Sequence, residues 1–387
     1  NTIFKTLSSL RLTVLLLGAA MALVFLGTLE QVHLGIHEVQ RRYFGTWLAY
    51  IPWPGQDLAK GSGWGIILPG GYTLGVLFLV NLVLAHFRYF KPSWSKVGIV
   101  CIHAGIVLLI ISGFVSGLTQ TESQMVLETG VPKNYSYSTQ DNELVLVDTT
   151  LPSKDIVYSF PIELVHNGAL LEAPGMPFKL KVIAFHPNAD LVLRAQMPNA
   201  PANLADRGAG IKMDIGVMPK PIDYAPESMN TATAYVEVLG AEGPEGTWLI
   251  SNLMDERFPK QAFELDGRSY AIALRWKRYY YPYAFTLNKF THERYPGTEI
   301  PKHFSSEIEL NNPQTGEQRT VLISMNEPLR YAGQAFYQAS FTEGERVSIL
   351  QVVSNPGWAL PYWAVGLVSI GLLAHFCLSL RRYLKQS

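Results

Sequence analysis

Three histidines lie where lipid tails give an ionisable group little support. His86 stands near the end of one apolar run, and His103 and His375 stand inside two longer ones. Such groups are costly in a bilayer and are retained there mainly for function. A neutral imidazole in apolar surroundings is a good axial ligand for haem iron. The chemistry on offer is therefore non-covalent binding of haem b, with His103 as iron ligand and His86 and His375 as further candidates. Arg88, Lys91, Lys96, Arg381 and Arg382 flank these runs and have the charge to meet haem propionates. Plainer uses stand beside these. Basic residues mark the cytoplasmic ends of spans in general, and histidines also snorkel or hydrogen-bond between helices.

Counting along ideal helices, His103 lies about 10 Å from Lys96 and His375 about 9 Å from Arg381, with His86 just before Arg88. All three imidazoles thus belong to the same half of the bilayer. Cys101 and Cys377 sit two residues from His103 and His375, which suggests a zinc or copper site. Residues two apart on a helix point about 200° apart, so neither pair converges on one ion. His33 and His37 follow the first apolar run at i, i+4 and share a face if the helix continues that far. No CxxCH occurs, so covalent c-type haem of the usual kind is excluded.

The elements that must position these groups are helices. Leu12–Leu29, Val97–Leu118 and Trp358–Leu380 contain no charged residue, and Tyr72–Phe87 is a shorter apolar run. Each approaches or exceeds the roughly 20 residues a helix needs to cross the hydrocarbon core. Ile66, Ile67 and Leu68 precede the second run across Pro69-Gly70-Gly71, so that span is expected to start with a break. The first run lacks a small-x-small cleavage site and is expected to stay as an anchor. Lys5, Arg11, Arg88, Lys91, Lys96, Arg381, Arg382 and Lys385 occupy three short flanks that hold no acid. The rule that positive charge stays inside then places both termini in the cytoplasm. Three spans over residues 1–118, with an external loop at 30–71, precede an external domain at 119–357. A fourth span and a basic tail complete the chain at 358–387.

Only 16% of residues are charged, and the net charge is zero, which gives no argument for nucleic acid. Both cysteines fall in apolar runs, so the external segment has no disulfide framework. That segment reads as strands: 143–147, 178–183, 234–239, 270–274, 306–310 and 347–352 alternate or are β-branched, with turn formers between. The fold class expected is a four-helix membrane part plus a large extracytoplasmic all-β domain, a sandwich or open barrel. No GxSxG, HExxH or glycine loop appears in it. Its histidines, His166, His186, His292 and His303, read as surface residues, and Tyr279–Tyr283 as a packed edge or contact surface. A docking surface for partner proteins is the use this domain suggests.

At this point the chain resembles the ResB/CcsB family of cytochrome c biogenesis proteins (System II). The matching stretches are Leu7–Thr13, Phe25–Thr28, Val39–Phe44, Asn81–Arg88 and His103–Gly105. Near the end come Tyr295–Gly297, Asn326–Arg330 with Phe336–Gln338, and Asn355–Gly357. The resemblance implies a bacterial inner-membrane protein whose large domain is periplasmic. It implies a partner of the CcsA/ResC type, with which haem is carried outward and attached to the CxxCH cysteines of apocytochrome c, beside a thiol-reducing protein. It also implies a haem ligand from the third span, which maps onto His103. The family's tryptophan-rich segment belongs to the partner; here Trp47, Trp53 and Trp64 are dispersed, so the chain reads as half of a synthase. A different reading is a b-type haem or anchor subunit of a respiratory complex, passing electrons between quinol and external multihaem proteins. That reading needs two ligands from this chain, such as His103 with His375 or His86 with His375. A third is an anchor whose histidines merely pack.

Overall fold

The computed structural model describes residues 2–52, 64–89, 93–224, 229–258, 260–297, 301–342 and 346–385. Lys91 and Trp53 lie outside them. Four helices are long and apolar enough to cross a membrane, and the protein is a membrane protein. A short helix, α1 (Thr2–Leu7), precedes the first of them, α2 (Leu10–Val39). Ser9 caps α2 by accepting from the backbone N–H groups of Arg11 and Leu12 at 3.2 and 3.4 Å. The helix runs well past the apolar stretch and then breaks at Gly35, whose φ of 67° is open chiefly to glycine. There the chain reverses. A single π turn, Gln40–Phe44, ends the returning segment, and Val39 and Phe44 come back to within 3.3 Å of where a Gly27 side chain would sit.

This reversal changes two expectations. The loop expected from residue 30 begins as helix and folds back on the first span. His33 and His37 fall on either side of the Gly35 break, so the i, i+4 relation between them does not hold, and both are exposed. Strands β1 (Leu48–Pro52) and β2 (Gly65–Pro69) then pair antiparallel. Ile66, Ile67 and Leu68 are thus strand residues, and the second span, α3 (Gly71–Tyr89), starts cleanly after them. The third is α4 (Val97–Thr119), which follows a single 3-10 turn.

From Thr121 the chain is almost all strand. β3 (Thr121–Glu128), β4 (Pro132–Asp148) and β5 (Ile156–Pro161) come first, then β6 (Leu170–Leu171) and β7 (Lys179–His186). β8 (Ala189–Leu193) and β9 (Ile215–Pro219) make a separate pair, with a one-turn helix α5 (Gly208–Lys212) between them. β10 (Thr233–Gly240) and β11 (Gly243–Ser251) lead through the one-turn α6 (Met254–Arg257) to β12 (Gln261–Leu265). The 27-residue β13 (Arg268–Arg294) follows, then β14 (Pro301–Asn312) and β15 (Glu317–Ser324). β16 (Leu329–Tyr331), β17 (Gln334–Phe341) and β18 (Val347–Ser354) return the chain to the last span, α7 (Leu360–Leu384).

One sheet orders as β15-β14-β13-β4-β3-β18-β17-β16, with β12 and β5 as side strands, and a second as β11-β10-β7-β6. The long strand serves two cores. Its first half packs Ile272 and Leu274 with Leu144, Leu180, Val236 and Ile250, sandwich fashion, against the smaller sheet. Register on β4 slips between Tyr280 and Phe285, around Pro282. Beyond the slip the large sheet curls into a nearly closed barrel filled by Leu127, Phe285, Ile308, Ile323, Phe336 and Leu350. Ser306 Oγ bridges its interior, 2.6 Å from both Gln338 Oε1 and Ser348 Oγ. Tyr281 and Tyr283 belong to this core, stacked at 5.3 Å, and burial pushes both phenols above their ordinary range. Tyr280 points outward and is 51% exposed. The tyrosine run is packing on alternate residues.

The β domain joins the membrane part through its first and last strands. β3 and β18 pair from Thr121 with Ser354 upward, so they continue α4 and α7 as one stem. Asn355 fastens the stem: its Nδ2 donates to Ser116 Oγ and Gln120 Oε1, both at 3.1 Å. A second joint is made at the α2 reversal, where a Cβ on Gly35 would collide with the Tyr224 carbonyl oxygen.

Candidate functional site within the membrane helices

α4 and α7 meet along small residues. Gly98, Gly105 and Ser112 repeat every seventh residue on α4 and are buried; Ala364 and Gly371 do the same on α7. A Cβ on Gly98 would lie 2.6 Å from both the Gly371 carbonyl oxygen and the His375 backbone nitrogen, so the two backbones are in direct contact. Small residues of this kind let helices approach in lipid, where packing replaces the hydrophobic drive. The seam fixes which face of α4 is left over, and His103 lies on that remaining face, toward α3.

α3 is held in rotation by polar groups on its other side. Asn81 is fully buried. Its Nδ2 donates to the carbonyls of Leu7 and Ser9 at 2.7 and 3.2 Å, and its Oδ1 accepts from Thr13 Oγ1 at 2.7 Å. Two turns on, Arg88 Nη1 donates to the Lys5 carbonyl at 2.8 Å and to Ser8 Oγ at 3.0 Å. Asn81 and Arg88 are seven apart and share one face, so together they clamp the α1–α2 break. His86 points elsewhere around the helix. The stretches Leu7–Thr13 and Asn81–Arg88, distant in sequence, are therefore one joint. Asn81 is named in the sequence only within a matching stretch and not as a positioning residue, although a lone amide in an apolar run is the available signal.

With both helices set, the rings of His86 and His103 stand 5.5 Å apart, inclined at 43°. His103 Nδ1 lies 2.8 Å from the Ile99 carbonyl oxygen. A carbonyl only accepts, so the proton is on Nδ1 and Nε2 presents its lone pair. A ring N–H held by a backbone carbonyl is how metal-binding histidines are usually oriented. Two imidazoles on opposite sides of one iron have ring centres roughly 6 Å apart, from two metal–nitrogen bonds of about 2 Å plus the ring radii. The donor types are those a haem iron takes, and the ring separation is slightly shorter than that figure.

The remaining candidates are placed otherwise. His375 puts its backbone against Gly98 and its ring edge-on to Phe376 at 6.0 Å. The pair that forms is His86 with His103, not His375 with either. Arg88 is engaged by the N-terminal joint and lies 4.9 Å over the Tyr89 ring. Arg381 and Arg382 are exposed at the far end of α7. Among the described residues no group of three or more His, Cys, Asp or Glu side chains is arranged to hold a metal ion.

Residues 273–349, from the first half of β13 into β18, match the family model described as the ResB-like family. Over these residues the chain is similar to the ResB-like family. A stretch of 114 residues is also 30% identical to Protein NrfI of Wolinella succinogenes, covering 30% of this chain and 13% of that protein. The matched stretch thus spans only a small share of that relative's length. The family match falls on the barrel half of the β domain, and the histidine pair lies in helices outside it.

Proposed function

We propose that this ResB-like chain serves the maturation of c-type cytochromes, receiving haem as cargo at the end of the bundle where the basic residues gather. The observation that carries the reading is the pairing of the His103 and His86 rings, with His103 Nδ1 tied to the Ile99 carbonyl. His103 would hold the iron through Nε2, and the second ligand would be His86 or a histidine of a CcsA/ResC-type partner. Haem supplies the iron to be gripped and the vinyl groups that the acceptor's thiols attack. This chain's share is to bind, orient and exclude water. The basic flanks place its termini in the cytoplasm and the β domain in the periplasm of a bacterial inner membrane, where apocytochrome c and a thiol-reducing protein meet it. The resemblance assigns the tryptophan-rich segment to the partner, which supports reading this chain as half of a synthase and its β domain as a docking surface for the other components.

A second reading has one observation in its favour. Two imidazoles from the same chain stand together, as a resident b-type haem of a respiratory subunit would need. Purified protein separates the two. Under the assembly-factor reading, the isolated chain shows little or no Soret band and the complex with its partner shows one. Cells lacking the chain then accumulate apocytochrome c. Stoichiometric haem in the isolated chain, with normal c-type cytochromes in cells that lack it, would favour the respiratory subunit.

A further inference from the structure

A groove of about 500 Å³ lies where the β domain meets the outer end of α7. Arg330, Gln334, Tyr337, Trp358 and Tyr362 line it, and among the described residues no carboxylate does. The Arg330 guanidinium sits 4.8 Å over the Trp358 ring, and among the described residues it forms no ion pair. Gln334 accepts the Tyr283 hydroxyl at its Oε1 (2.8 Å), which leaves its amide NH2 to donate. The contrast with the β-domain cavity beside Arg275 and Arg278 is instructive. There each guanidinium is matched by a carboxylate, Glu143 at 2.9 Å and Asp255 at 2.7 Å. The Arg330 groove instead keeps an uncompensated cation among hydrogen-bond donors.

Its position says what meets that cation. Pro361 and Tyr362, in the first turn of the last span, form part of the wall, so the groove opens at the surface of the bilayer. Trp358, Tyr362 and Trp363 are 52%, 68% and 70% exposed around it, an aromatic belt at headgroup level. We propose that this groove binds the phosphodiester headgroup of an anionic phospholipid from the outer leaflet, with Arg330 on the phosphate and Trp358 and Tyr362 against the glycerol. The bound lipid bridges the barrel hairpin β16–β17 to the start of α7, and so steadies the β domain over the membrane.

Native mass spectrometry of the full chain, loaded with phosphatidylglycerol or phosphatidylcholine, tests this. Wild type retains one phosphatidylglycerol that Arg330→Gln holds roughly tenfold more weakly, the loss expected for one charge-assisted contact. Arg330→Lys is intermediate. Phosphatidylcholine, whose ammonium balances its own phosphate, is held more weakly than phosphatidylglycerol by wild type and loses less on Arg330→Gln. Arg330 is exposed, so the variants fold, which gel filtration checks. Equal phosphatidylglycerol retention in wild type and Arg330→Gln would overturn the proposal. Displacement of the lipid by excess inorganic phosphate would also overturn it, by showing a site for free anions.

Discussion

Replacing His103 with alanine removes haem from the purified assembly and leaves c-type cytochromes immature, while the chain stays in the membrane at its normal level. The expected fall in haem occupancy exceeds about a hundredfold, because changes one shell further out already cost 10–100-fold. The protein level holds for a structural reason. His103 lies on the face of α4 turned away from the glycine seam, so its loss leaves Gly98, Gly105 and Gly371 in register. His86→Ala has a smaller effect, about tenfold, if the partner supplies the other imidazole. If His86 itself is the other ligand, its loss is as severe as that of His103. Haem content by pyridine haemochrome and c-type cytochrome by haem-stained gels check both variants. Normal maturation in His103→Ala would remove the haem account.

Gly98→Ala is the second large effect, and it acts by geometry alone. The added methyl would stand 2.6 Å from two backbone atoms of α7 and 2.9 Å from a third, the His375 Cα. No rotamer change relieves a clash with backbone, so the helices must separate. The loss is expected at the upper end for overpacking, about 3 kcal/mol. Because α4 carries His103, the displacement also lowers haem content. Gly113→Ala on the same helix is the control, since nothing lies within 4 Å of its Cβ position. Heat-challenged gel filtration of the two variants should show early loss of the monodisperse peak for Gly98→Ala and a wild-type profile for Gly113→Ala. Equal profiles would mean the seam is looser than the backbone contacts indicate.

Much of this was legible in the sequence, and the exceptions have identifiable causes. The third and fourth spans are uninterrupted apolar runs, which little else explains. The six segments read as strands all fall in strands to within a residue, because alternation reports burial on one face directly. The first span's outer portion was missed because its helix continues through Glu30 and His33 to the break at Gly35, past the point where hydropathy fades. Ile66–Leu68 looked like the start of a span, since a short apolar triplet does not distinguish helix from strand; pairing with Tyr50 and its neighbours decided it. The extent of β13 was hidden by Pro282, where register is regained only through partners far away in sequence.

The site was legible in depth but not in direction. Residue counting placed three imidazoles near one leaflet, yet which two meet depends on how α3 and α4 are rotated. That rotation is set by long-range contacts, with Asn81 on Leu7 and Thr13 on one side and Gly98 on Gly371 on the other. The heptad spacing of Gly98, Gly105 and Ser112 was available as a signal, as was that of Ala364 and Gly371. Read together, they would have turned His103 away from α7 and toward His86.

The most direct measurement is the absorption spectrum of the partner-bound complex carrying His103→Gly, before and after adding imidazole. A cavity left at the iron accepts the free ligand, so the expected result is loss of the Soret band on mutation and its return with imidazole. A Soret band that is unchanged by His103→Gly and indifferent to imidazole would show that iron is held elsewhere.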